Sequence, residues 1–280
     1  MPIRKSLAKI KGRIFNRGKN VEWFYSKVLR KAIVLKSKDG FLFEFQPENS
    51  FARHINRNRF TDDKSVLEYI KRNVKQGDTC FDIGACFGVV TLCMAQSAGE
   101  TGQVFSFEAE KKNFLNLRRN LELNHFKNTK AFNKGVYSNE NGFELSVFSK
   151  EAYGIHAVKN AYEKGEHIQK VETICLDNFC TLEGIGQIDL IKIDVEGVEP
   201  EILKGSIRLL RSHAIKKIIF EVSELSLNKY GYTIEKLTGL LTENDYSIWE
   251  INEDGSLTGP MQVYPKTNFA NWVALAPGIN

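Results

Sequence analysis

Along residues 77–222 the apolar positions change period again and again. Short, nearly continuous apolar runs at 79–83, 104–107, 131–136, 189–193 and 217–222 read as strands buried on both faces. Between them, residues 89–97, 111–124 and 199–211 repeat apolar side chains every three or four positions, the helical period. Strands of this kind separated by helices predict a parallel sheet covered on both sides. Right-handed crossovers then make an α/β, Rossmann-like, doubly wound fold.

The flanks follow other patterns. Val66, Leu67, Ile70 and Val74 predict one more helix over 63–74. Residues 139–175 alternate apolar and polar positions on either side of an Asn-Gly turn and read as a β-insertion. Residues 246–251 and 271–276 alternate too, and predict antiparallel strands at one sheet edge. Near the start, apolar residues alternate around Asp39-Gly40, a hairpin signal over 32–45. Ahead of it, Ile3, Leu7, Ile10 and Ile14 form one stripe of a basic amphipathic helix over 3–15. The organisation expected is a basic arm and hairpin over 1–60 and a main domain over 61–280.

Candidate chemistry clusters where the first strand ends, in Cys80-Phe81-Asp82-Ile83-Gly84-Ala85-Cys86-Phe87-Gly88. Glycines let a backbone turn sharply against a ligand, and in doubly wound sheets ligands bind at the carboxyl ends of the strands. A dinucleotide fingerprint would read GxGxxG and face a pyrophosphate. Here the glycines are spaced Gly84-x-x-x-Gly88, and Asp82 stands two residues ahead of the first. A carboxylate there repels phosphate and suits a cationic cofactor, which points to S-adenosylmethionine. The second strand ends in Glu108, 20 residues beyond Gly88, where an acid accepts hydrogen bonds from ribose hydroxyls. A third strand, Ile188 to Ile193, adjoins the first and delivers Asp194 and Glu196 to the same rim. These two acids either carry chemistry or cap the helix beginning near Glu199.

At these residues the chain resembles the FkbM-type family of S-adenosylmethionine-dependent methyltransferases. The resemblance rests on Asp82, Gly84, Ala85 and Gly88, on Phe107-Glu108, on Gly135-Val136-Tyr137-Ser138, on Leu176-Asp177, and above all on Lys192-Ile193-Asp194-Val195-Glu196-Gly197 followed by Leu203-Lys204-Gly205. It covers about half of the chain. It implies a class I methyltransferase acting on a hydroxyl, often of a sugar, glycan, lipid-linked or secondary-metabolite acceptor. It carries Asp82, Gly84, Ala85 and Gly88 to the methionine side of the cofactor, Glu108 to the ribose, and Gly135, Val136 and Ser138 to the vicinity of the adenine. Asp194 maps to the catalytic rim. Cys86 departs from the family, which more often has asparagine there.

A hydroxyl acceptor must lose its proton as it attacks, and a positioned base contributes about 10² to 10⁴-fold. Asp194 and Glu196 are candidates, and His156 in the β-insertion is the leading histidine. Glu221 lies in the apolar run Ile218-Ile219-Phe220-Glu221-Val222, where a charge is costly to bury unpaired, so it is expected to face the crevice. Asp194 and Glu196 alone are too few to predict a required metal.

Composition sharpens the picture at two points. Five cysteines without a CxxC pair suggest a reducing, cytoplasmic compartment. The net charge of +5 is unevenly spread: residues 1–38 hold twelve basic residues against Glu22 alone, a balance of +11, so the remaining 242 residues carry −6. An acidic body argues against a nucleic-acid partner, and no Pro-Pro motif of base amino-methylation occurs. The arm, residues 1–31 above all, suits an anionic membrane surface, an acid-poor organellar targeting segment, or a helix packed on the body with a solvated basic face. The alternatives are an RNA ribose methyltransferase and a non-catalytic, membrane-associated protein that binds S-adenosylmethionine.

Overall fold

In a computed structural model of the chain, residues 33–45, 64–147, 157–158, 167–267 and 269–279 are described. The expected amphipathic helix over 3–15 and His156 lie outside them. By its internal contacts the chain divides into two compact units, residues 1–60 and 61–280. In the first, β1 (Ile33–Lys36) and β2 (Leu42–Phe45) form an antiparallel hairpin. Its turn places Gly40 at φ +92°, a conformation in which glycine carries no Cβ penalty.

The second unit is built on an eight-stranded sheet. Helix α1 (Lys64–Asn73) leads into β3 (Thr79–Ile83), α2 (Val89–Ala98), β4 (Gln103–Phe107), α3 (Lys111–Asn124) and β5 (Thr129–Phe132). The chain then returns to the other side of β3 with β11 (Leu190–Ile193) and β12 (Lys217–Val222). These five strands are parallel. The direction of winding reverses between β3 and β11, which sets the switch point there. From the tail, β13 (Ser247–Ile251), β14 (Leu257–Thr258) and β15 (Ala270–Leu275) extend the sheet beyond β12 with β15 antiparallel to it, as the alternation predicts.

The two faces of the sheet differ. Phe81, Ile83, Phe105, Phe107, Ile191, Ile193 and Phe220 join the main apolar core, where Phe179 stands edge-on to Phe81, Phe105, Phe107 and Phe132. The alternate positions of the same strands include Asp82, Ser106 and Lys192, which the registers place side by side. That face meets α2, whose Thr91 hydroxyl donates to Asp82 at 2.5 Å and accepts from Ser106 at 3.0 Å. Six consecutive residues of α2, Val90 to Ala95, are buried, because α2 packs against both α1 and the sheet.

The insertion is a β-structure as expected, and two other elements depart from the sequence pattern. The run 131–136 is two strands, since only Thr129–Phe132 joins the main sheet and Asn133 turns the chain by donating to the carbonyls of Glu108 and Ala109 at 2.9 and 3.1 Å. Residues Gly135–Val136, β6, pair instead with Thr173–Ile174, β10. The insertion is a three-stranded antiparallel sheet of β7 (Phe143–Val147) between β8 (Ala157–Val158) and β9 (His167–Val171). The helix expected over 199–211 is interrupted, giving α5 (Glu199–Lys204) and α6 (Ile207–Arg211). At the break, Gly205 approaches Tyr137 so closely that a Cβ would lie 2.4 Å from its carbonyl oxygen. The start of α6 is held by Asp177, which accepts from the amides of Arg208 and Leu209 at 2.9 and 3.0 Å. Asp177 belongs to α4 (Leu176–Leu182), a short helix that the periodicity does not show. Two more helices, α7 (Glu224–Lys229) and α8 (Ile234–Thr242), follow β12.

Candidate active site

The loop after β3 is a tight backbone structure. The amides of Gly84 and Ala85 both donate to the Phe107 carbonyl, at 2.9 and 3.0 Å, and the Gly88 amide donates to Ala85 at 2.7 Å. Gly84 is required twice over. Its φ is +80°, and a Cβ would sit 1.9 Å from the Asp194 carbonyl oxygen. Gly88, at φ +89°, opens α2. Cys86 between them also has a positive φ, +48°, where asparagine is the more tolerant residue.

Glu108 ties this loop to β4. One carboxylate oxygen accepts from the Cys86 amide and the other from the Glu110 amide, each at 2.8 Å. Burial pushes its pKa up to about 7, against the lowering effect of those two amides. Each carboxylate oxygen has lone pairs to spare for further donors. Asp82 is fully buried, and burial raises its pKa, opposed by Lys192 and the Thr91 hydroxyl. Its Oδ2 is taken by Thr91, while its Oδ1 has no hydrogen-bond partner among the described residues.

The opposite wall is acidic. The register of β11 on β12 pairs Ile193 with Phe220, so the next positions, Asp194 and Glu221, emerge together on one sheet face. Glu196 completes the group from a left-handed conformation, φ +60°. One carboxylate oxygen from each of Asp194, Glu196 and Glu221 lies within 4.8 Å of the other two. Lys192 Nζ donates to Asp194 at 2.7 Å. Burial first and the Asp194 charge second raise Glu196 to about 7. Glu221 is raised by burial and then by the charges of Asp194, Glu196 and Glu199.

The acids of this rim do not cap α5, which has no side-chain cap. The loop is shaped by Glu199 instead, a buried carboxylate that accepts from the amides of Val195 and Gly197, both at 3.2 Å. Gly197, at φ +105°, lies against α7, where a Cβ would be 2.3 Å from the Ser226 carbonyl oxygen.

Residues Gly135 and Val136 are buried in β6. The Ser138 hydroxyl donates to Glu201, as does the Tyr232 hydroxyl, and Lys204 Nζ reaches both Glu201 and Tyr232 at 2.8 Å. Ser138 is thereby committed to a network that joins α5 to the loop after β6. The structure thus brings Asp194, Glu196 and Glu221 together beside the Gly84 loop and Glu108. Sequence reasoning missed Lys192, Glu199 and Thr91. Lys192 had a visible signal, a lone cation in an apolar run, whereas Thr91 and Glu199 follow helical patterns that reveal no partner.

A model of the methyltransferase FkbM domain matches residues 82–248, more than half of the chain. The chain belongs to the FkbM methyltransferase family. The matched span of this methyltransferase runs from Asp82 through the acidic rim into β13. No curated protein matches it significantly. Among solved structures, it is similar to a precorrin-6Y C5,15-methyltransferase of Geobacter metallireducens (14% identity, 76% of this chain and 87% of that one, TM-score 0.42). Others are a SAM-dependent methyltransferase of Aquifex aeolicus (13%, 78% and 91%, 0.43) and a fibrillarin pre-rRNA processing protein of Methanococcus jannaschii (12%, 89% and 84%, 0.46). Among the described residues no helix is long and apolar enough to cross a membrane.

Proposed function

We propose that this methyltransferase uses S-adenosylmethionine to methylate a hydroxyl of a sugar, glycan, lipid-linked or secondary-metabolite acceptor. The observation that carries the reading is the rim of Asp194, Glu196 and Glu221 standing beside the Gly84 loop. The residues present fit that cofactor. A backbone cradle too close for a Cβ, an unpartnered buried oxygen on Asp82 and spare lone pairs on Glu108 suit a ligand with cationic groups and ribose hydroxyls. Bound S-adenosylmethionine supplies an electrophilic methyl group for in-line displacement. Glu108 orients the ribose, the Gly84 to Gly88 loop encloses the amino-acid end, and the rim carboxylates orient the acceptor and take up its hydroxyl proton.

The test is transfer of labelled methyl from the cofactor to cell-extract metabolites, with the product identified by mass spectrometry. An alkali-stable methyl ether is expected, and Asp194→Asn should lower its formation at least about 10²-fold. Label confined to nitrogen, or to RNA ribose, would refute the acceptor class. The arm of residues 1–31 is proposed to hold the enzyme on an anionic membrane surface, where each basic side chain contributes about 1 kcal/mol.

A further inference from the structure

The charges at the rim do not balance. Asp194, Glu196 and Glu221 converge within 4.8 Å; Lys192 is bonded to Asp194, and the charge of Lys229, at the end of α7, acts on Glu196. With all three acids ionised, these five side chains sum to −1. The other nearby acids are held separately, Asp82 by the Thr91 hydroxyl and Glu199 by two backbone amides.

Glu221 adds an independent observation. It is only 8% exposed, no hydrogen bond to its carboxylate occurs among the described residues, and that carboxylate points into the group formed by Asp194 and Glu196. A buried carboxylate without a donor costs several kcal/mol. A hard divalent cation removes that cost.

We propose that Asp194, Glu196 and Glu221 bind a divalent cation through carboxylate oxygens, and that its remaining positions take two neighbouring hydroxyl oxygens of the acceptor. Three oxygens up to 4.8 Å apart lie up to about 2.8 Å from a common centre, so the side chains close by roughly 0.2 Å to hold Ca²⁺ at about 2.6 Å and by roughly 0.7 Å to hold Mg²⁺ at about 2.1 Å. Three protein ligands leave about half of a six-coordinate shell open. An acceptor with a vicinal diol, as on a sugar ring, fills two of those positions and is fixed in orientation. This assignment of acceptor rests on the hydroxyl-methylation reading above, while cation binding does not.

The experiment titrates the full chain with Mn²⁺, read by electron paramagnetic resonance, and then displaces it with Mg²⁺ and Ca²⁺. S-adenosylhomocysteine binding is measured in parallel by calorimetry. One Mn²⁺ per chain is expected, bound at least tenfold more weakly in Glu221→Gln and in Glu196→Gln, with thermal unfolding checking that each variant folds. In case either variant fails to fold, the wild-type protein supplies a second measure, a rise in melting temperature with added Ca²⁺ or Mg²⁺. No Mn²⁺ binding below about 1 mM by protein that binds S-adenosylhomocysteine overturns the cation site alone. Binding undiminished in both folded variants overturns it as well. Cation binding without any S-adenosylhomocysteine binding would instead overturn the proposed function.

Discussion

Gly84→Ala tests the central contact of the site, because Gly84 is where the loop after β3 and the acidic rim touch backbone to backbone. Two costs follow from the geometry. At φ +80° an alanine is held in the left-handed region, at roughly 1–2 kcal/mol. Its Cβ would also lie 1.9 Å from the Asp194 carbonyl oxygen, whereas a relaxed carbon–oxygen contact is about 3.3 Å. The two loops must separate by about 1.4 Å, and neither atom is the free end of a side chain that can swing away. Overpacking of this kind adds roughly 1–3 kcal/mol.

Together these predict a destabilisation of about 2–5 kcal/mol, which for a unit spanning residues 61–280 lowers the melting temperature by roughly 4–20 °C. The functional cost should be larger in proportion, since a misplacement of about 1 Å is worth about 10²-fold in rate. Thermal unfolding, calorimetry with S-adenosylhomocysteine and turnover each read one part of this. A Gly84→Ala protein that unfolds within 1 °C of wild type and binds S-adenosylhomocysteine equally well would refute the claim that the contact admits only glycine.

Glu108 is raised from 4.5 to about 7 by burial, so between those values the folded protein holds a proton that the unfolded chain has lost, and this group lowers stability as pH rises through that window. Donors from the ribose favour the ionised form, so S-adenosylhomocysteine should bind more weakly below pH 7 and release protons there; identical binding heats in buffers of different ionisation enthalpy would contradict this. Glu201→Gln weakens the bonds from Ser138, Tyr232 and Lys204 and should cost roughly 1–3 kcal/mol, seen as a lower urea midpoint. Removing residues 1–31 should reduce co-sedimentation with anionic vesicles while leaving cofactor affinity unchanged, and an intact chain that ignores such vesicles would remove the case for a membrane surface.

Legibility followed the kind of interaction. Strands β3 and β12 and helix α3 could be read to the residue because each is a single apolar period bounded by polar turns. The glycine spacing and the acids at strand ends were legible for a related reason, since the chemistry lies within one short segment. The strand expected over 131–136 and the helix expected over 199–211 break where a long-range contact interrupts a local pattern, Asn133 on the Glu108 carbonyl in one case and Gly205 against Tyr137 in the other. Glu221 was expected at the crevice from its cost of burial. Its closeness to Asp194 is a matter of inter-strand register, which no single segment encodes.

Register also explains why the rim cannot relax. Asp194 is fixed by β11 and by the Gly84 contact, Gly197 is pressed against α7, and Glu199 gathers the intervening amides. Each contact involves backbone, so the loop has little freedom to move Asp194 and Glu196 apart, and Glu221 is anchored in a central strand. Like charges on a soft loop would separate into water. Here the repulsion can be relieved only by a proton or by a bound positive charge, which is a reason to read the acidic rim as a binding feature maintained at some expense of stability. The +5 of the whole chain conceals this. The local balance around Lys192, not the net charge, determines which ligands the crevice favours.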